Sequence, residues 1–123
     1  MESSTKEKLV TLLKRLKEEG EVDSSAIITR DGLLVASDLS TGINKDSFAA
    51  MSAAVLGAAE TAMLELSNDY VLGVISEFQG GKLITMGAGS KSILVALVRN
   101  DANLGLILIE MQKASKGIEN LMK

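Results

Sequence analysis

The chain has 123 residues, 46% of them hydrophobic, a net charge of −3, and neither cysteine nor histidine. That length fits a single domain, residues 1–123, with enough apolar material for a real core. The missing residue types exclude disulfides, thiolate nucleophiles, imidazole bases and the usual zinc ligands together.

Phe48, Phe78 and Tyr70 are the only aromatic residues. The core must therefore be built from Ala, Val, Ile and Leu, which suits a thin sheet tightly covered by helices. No cofactor or metal site is expected, and no catalytic residue stands out. Charges of both signs are scattered, with neither a nucleic-acid stripe nor a polybasic membrane patch. The start of the chain, Met1 to Glu7, is polar and reads as no signal peptide. With cysteine absent, a cytoplasmic location is expected.

Ser4-Thr5-Lys6-Glu7 has the spacing of a capping box, in which Ser and Glu satisfy two otherwise unpaired amides. Leu9, Leu12, Leu13 and Leu16 follow at helical spacing, and Gly20 is placed to end the helix in the left-handed conformation. Short apolar runs at Ser25–Thr29 and Leu33–Ser37 flank Arg30-Asp31-Gly32, where Asp-Gly signals a hairpin. Asn44 or Asp46 caps a second helix running to about Leu66. Three strands follow, at Tyr70–Phe78, Leu83–Met86 and Ile93–Arg99, joined by turns at Gln79–Lys82 and Gly87–Lys91. Asn100, Asp101 or Asn103 caps a last helix carrying Leu104, Ile107, Leu108, Met111, Ile118 and Leu121 on one face.

The order is thus α-β-β-α-β-β-β-α, an α/β chain of the α+β kind. The two hairpin systems join most simply with the first strand beside the fifth, giving a five-stranded antiparallel sheet ordered 2-1-5-4-3. Ile93 to Val98 is apolar on both faces, which places the fifth strand centrally with helices on both sides. The second and third strands become edges.

From Ser47 to Leu64 the second helix holds one charge, Glu60. A helix lying on a sheet and otherwise facing water needs only one apolar stripe, here assigned to Phe48, Met51, Val55, Ala59, Ala62 and Leu66. Ala50, Ala54, Gly57, Ala58 and Thr61 remain, and little about them invites water. The segment is about long enough to span a bilayer. Against that, Ala and Ser insert weakly, Glu60 sits inside and strands flank it, so no membrane insertion is expected. An Ala-rich face can also be exposed without meaning, since Ala favours helix. The sharper reading is that small residues let a second helix approach closely, and a homodimer supplies one by symmetry. The third strand points the same way. Tyr70 to Ser76 carries no charge, although edges are usually defended by Lys, Pro or a bulge. The expected dimer contacts are Ala50, Ala54, Gly57, Ala58 and Thr61 with Tyr70, Leu72, Val74 and Ser76.

Other motifs fall away. Gly87-Ala88-Gly89-Ser90-Lys91-Ser92 superficially resembles a phosphate-binding loop, but Ser90 separates Gly89 from Lys91 and a strand follows instead of a helix. Gly80-Gly81-Lys82 is a hairpin turn for the same reason. Glu18, Glu19, Glu21 and Asp23 form a solvated charge run at a helix end. Met51, Met63, Met86, Met111 and Met122 are assigned mostly to packing.

Several of these passages resemble the roadblock family, named after the dynein light-chain type, and its bacterial and archaeal relatives of the MglB type, regulators of Ras-like GTPases. They are the leading amphipathic helix, the hairpin Ala26-Ile27-Ile28-Thr29-Arg30-Asp31-Gly32-Leu33-Leu34-Val35-Ala36-Ser37, the Ala-rich helix, Gly81-Lys82-Leu83, and Asp101-Ala102-Asn103-Leu104-Gly105. The resemblance covers essentially the whole chain and implies a profilin-like/roadblock fold that dimerises through the second helix and third strand. It further implies a non-catalytic homodimeric platform that binds a Ras-like small GTPase, as scaffold or activator. An arginine finger would need an Arg able to reach the γ-phosphate, and among Arg15, Arg30 and Arg99 no context singles one out. The alternative on the same fold is a small-molecule sensor or other signalling adaptor, opposed by aliphatic sheet faces with few convergent polar groups. An enzyme would have only carboxylates, Lys, Ser and Tyr70 to draw on.

Overall fold

The computed structural model describes residues 3–40 and 42–123. Among them are the three helices and five strands expected: α1 (Ser3–Glu19), β1 (Ser24–Thr29), β2 (Leu34–Asp38), α2 (Lys45–Leu66), β3 (Gly73–Phe78), β4 (Gly81–Ala88), β5 (Ser92–Arg99) and α3 (Leu104–Leu121). The strands form one antiparallel sheet in the order β2-β1-β5-β4-β3.

The central strand is β5, paired to β1 on one side and β4 on the other. Its side chains alternate between two cores. Leu94, Ala96 and Val98 point into the layer formed by α1 and α3, where they meet Leu9, Leu13, Ile107, Met111 and Ile118. Ile93 and Val95 point the other way, onto α2, with Ala26, Ile28, Ala49 and Leu56. A strand apolar on both faces forces this sandwich, since each face must be removed from water.

Local signals set the element ends. Asn44 caps α2 by accepting from the Ser47 amide at 3.1 Å, and Asn103 caps α3 by accepting from the Leu106 amide at 3.1 Å. The first hairpin turns over Arg30-Asp31-Gly32, with Gly32 at φ 90° and its amide donating to the Thr29 carbonyl at 2.9 Å. A side chain at Gly32 would also stand 3.1 Å from the Ala50 Cα, so this glycine brings the hairpin tip against α2.

Three expectations need correction. The first helix already includes Ser3, the first described residue, which puts Ser4 within the helix and not at a cap. At its other end Glu21, not Gly20, takes the left-handed conformation, at φ 58°. Gly20 is instead a contact residue: a Cβ there would stand 2.9 Å from the Leu16 carbonyl and 3.2 Å from Glu110 Cβ. The third correction concerns the phase of α2. Its buried side chains are Ala49, Ser52 and Leu56, with Phe48 and Ala53 partly buried beside them. Met51, Ala62 and Leu66, assigned above to the sheet-facing stripe, are exposed, Met51 by 64% and Leu66 by 75%. A helix apolar nearly all round carries no polar face to fix its rotation, so contact with the sheet decides it.

Leu56 is the one large side chain of α2 that is fully buried. Leu56→Ala is expected to lower stability by about 2–5 kcal/mol, read as a shift in urea midpoint. A loss below about 1 kcal/mol would show that α2 is held mainly by other contacts.

Candidate functional site

The outward face of α2 is the largest anomaly of the surface. Ala50, Ala54, Ala58 and Thr61 follow one another along the helix and are exposed, and Gly57 lies half-buried beside them. The Thr61 hydroxyl donates back to the Gly57 carbonyl at 2.9 Å, so even this polar side chain is turned onto its own helix. A Cβ at Gly57 would meet no heavy atom within 4 Å, which leaves the surface there flat and open. Larger apolar side chains flank the small ones: Met51 and Leu64 are each about two-thirds exposed. By length and composition α2 could cross a membrane, yet it lies along the sheet through Ala49, Ser52 and Leu56. The burial expected all round this helix is thus not supplied by its own chain.

The strand residues of the expected dimer contact divide. Tyr70 and Leu72 precede β3, which begins only at Gly73, and they are exposed by 96% and 82%. The chain uses these positions to travel from the end of α2 to the sheet edge. Val74 and Ser76 lie within β3 and are half-buried, with Val74 packed into the α2-side core. The alternate residues Gly73, Ile75 and Glu77 face the opposite side. What β3 offers outward is therefore its backbone. It pairs with β4 along one edge, and among the described residues no strand pairs with the other.

Glu60 has a partner that sequence reasoning missed. Arg30, at the tip of the first hairpin, donates from Nη1 to Glu60 Oε2 at 2.9 Å and from Nη2 to the Gly89 carbonyl at 2.9 Å. One guanidinium thereby links the β1–β2 turn, α2 and the β4–β5 turn, although its Nε is buried without a partner. Residues 30 and 60 are too far apart in the chain for local pairing to show them as a pair. Of the arginines weighed as fingers, Arg30 is thus engaged within its own chain, and Arg99 lies 3.5 Å from Asp101 on the exposed surface. The glycine-rich passage after β4 is a short turn, Gly89-Ser90-Lys91, leading straight into β5. Met86 and Met111 are core residues, whereas Met51 is not. Among the described residues no three acidic side chains gather as metal ligands would.

A sheet with two helices on one face and a lone, outwardly apolar helix on the other defines a small three-layer α+β architecture. The same architecture occurs in an MglB with a tetrameric arrangement (TM-score 0.91, 18% identity, 98% of this chain and 92% of that one) and in Myxococcus xanthus MglB (TM-score 0.88, 21% identity, 94% of each). At those identities the likeness is one of fold. The Roadblock/LC7 domain family model matches residues 8–98, and the chain belongs to that family. Uncharacterized proteins of Methanocaldococcus jannaschii are also similar: one is 35% identical over 108 residues, covering 88% of this chain and 93% of its own.

The Arg30–Glu60 pair is partly exposed on both sides. A double-mutant cycle with Arg30→Gln and Glu60→Gln is expected to give a coupling of about 0.2–1 kcal/mol that shrinks as salt is raised. A coupling indistinguishable from zero would mean that the Gly89 hydrogen bond, not the ion pair, holds the arginine.

Proposed function

We propose that two copies of this chain associate through α2 and the free edge of β3, and that the pair is a non-catalytic cytoplasmic platform for a Ras-like small GTPase. The observation that carries the first half is the outward face of α2, where Ala50, Ala54, Gly57, Ala58 and Thr61 form a smooth strip with no charge. Small side chains let two helix axes approach to about 8 Å, which recovers dispersion contacts that water cannot supply. A β3 edge paired to its own copy would satisfy backbone groups that are otherwise open to any other strand. Tyr70 and Leu72, just ahead of the strand, then lie beside the same contact, and Val74 and Ser76 contribute through their backbone.

The second half rests on family membership and on the resemblance to GTPase regulators of the MglB type. Arg30 is held by Glu60 and Gly89, and nothing in the surroundings of the exposed Arg15 and Arg99 singles either out as a finger, so a role in stimulating hydrolysis would come from repositioning the GTPase's own residues. The competing reading, a small-molecule sensor, gains one observation, an open apolar cleft beside α3.

Because a Cβ at Gly57 would point into open space, Gly57→Arg is expected to leave the fold intact and convert a dimer into a monomer in light scattering. A folded mutant that remains dimeric places the interface elsewhere. For the partner, the protein is to be mixed with each Ras-like GTPase encoded in its own genome, following co-elution and phosphate release. A complex with at least one is expected; no complex and no change in hydrolysis across the set rejects the GTPase role.

A further inference from the structure

The face of the sheet opposite α2 is incompletely covered. There α1 packs on β1 and β2, and α3 packs on β4 and β5, while the main helix contact of β3 is with α2, on the other side. Between α3 and the β3–β4 strip runs a cleft of about 680 Å³, open to solvent. Ile75, Ile84 and Met86 form its floor, Leu108 and Ile109 its wall, and Leu72 one end. Leu72 is exposed by 82%, Ile109 by 53% and Ile75 by 43%, which is unusual for large aliphatic side chains standing together.

Charge narrows what fits. The chain as a whole carries −3, yet the only charged residues lining the cleft are Lys113 and Lys116, with no carboxylate among them. Lys113 touches Glu110 at 3.4 Å, an exposed i,i+3 contact of the weak kind. Lys116 has no carboxylate within ion-pair distance among the described residues.

We infer that this cleft is a docking groove for an acidic amphipathic helix of a partner protein, its apolar stripe on Ile75 and Ile109 and its carboxylates on Lys113 and Lys116. An added strand would use the β3 backbone edge and leave these side chains bare, whereas a helix lays an apolar stripe onto them. The groove lies within one protomer and does not depend on the dimer or on the GTPase. Pairing of two β3 edges would set two such grooves side by side.

The test uses a fluorescein-labelled synthetic peptide of about 18 residues, five turns of helix, with leucines on one face and glutamates flanking them. A companion peptide carries lysines in place of the glutamates. Anisotropy is expected to show the acidic peptide binding at least about tenfold more tightly than the basic one, with the difference narrowing in salt. Ile109→Glu, at an exposed position, should weaken binding by about tenfold or more while circular dichroism and light scattering stay unchanged. The double variant Lys113→Glu, Lys116→Glu should reverse the peptide preference. Equal binding of both peptides, binding indifferent to Ile109→Glu, or binding abolished by Gly57→Arg would overturn the inference. So would displacement of the peptide by stoichiometric palmitate, which would assign the cleft to an acyl ligand. A monomeric wild-type protein that still binds the acidic peptide would sink the dimer and leave the groove standing.

Discussion

Everything in this molecule follows from the need to bury β5 on both faces. Ile93 and Val95 point to one side, Leu94, Ala96 and Val98 to the other, and β1 and β4 flank the strand so that no edge of it meets water. A sheet with such a centre needs a helical layer on each side, and the described residues supply three helices to provide them. Two lie together on one face, where Gly117 of α3 lets Leu12 of α1 approach: a Cβ there would stand 3.2 Å from Leu12 Cδ1. The third is left to cover the opposite face alone.

That uneven division explains both open surfaces. Among the described residues no second helix shields the outward side of α2, so its small apolar residues face solvent in the single chain. On the other face α1 and α3 are drawn over the centre of the sheet, where the apolar area is greatest, and β3 at the edge stays uncovered. The two surfaces differ in chemistry. The α2 face is smooth, nearly uncharged and built of small side chains, as suits a close helix crossing with a copy of itself. The cleft beside α3 is lined by large aliphatic residues and edged by two lysines, as suits a partner of opposite charge. The Arg30 side chain ties α2 to the β1–β2 and β4–β5 turns, and the Arg30 amide donates to the Lys91 carbonyl at 3.2 Å between the same two turns.

Much of this was legible in the residues. The caps at Asn44 and Asn103, the Arg30-Asp31-Gly32 turn and the two-sided apolar run of β5 each act through neighbours in the chain, and together they gave the element order and the strand order. The roadblock likeness was legible for the same reason, being carried by the order of those local signals. The composition of the outward strip of α2, Ala50 to Thr61, was also visible as an excess of apolar residues over what one sheet contact requires.

The rotation of α2 was not legible, because a helix without a polar face has no preferred side until Leu56 finds its place against Ile28 and Val95. The start of β3 was misread because Tyr70, Val71 and Leu72 suit a strand, while the distance from the end of α2 to the sheet edge takes them out of it. Arg30 and Glu60, like Ile75 and Ile109, meet only after the sheet has closed. By itself, then, the sequence determined what depends on near neighbours: the elements, their ends and the two-faced centre. Tertiary structure alone decided which side of α2 looks outward and which aliphatic residues line the cleft, since both depend on where one packed layer stops covering another.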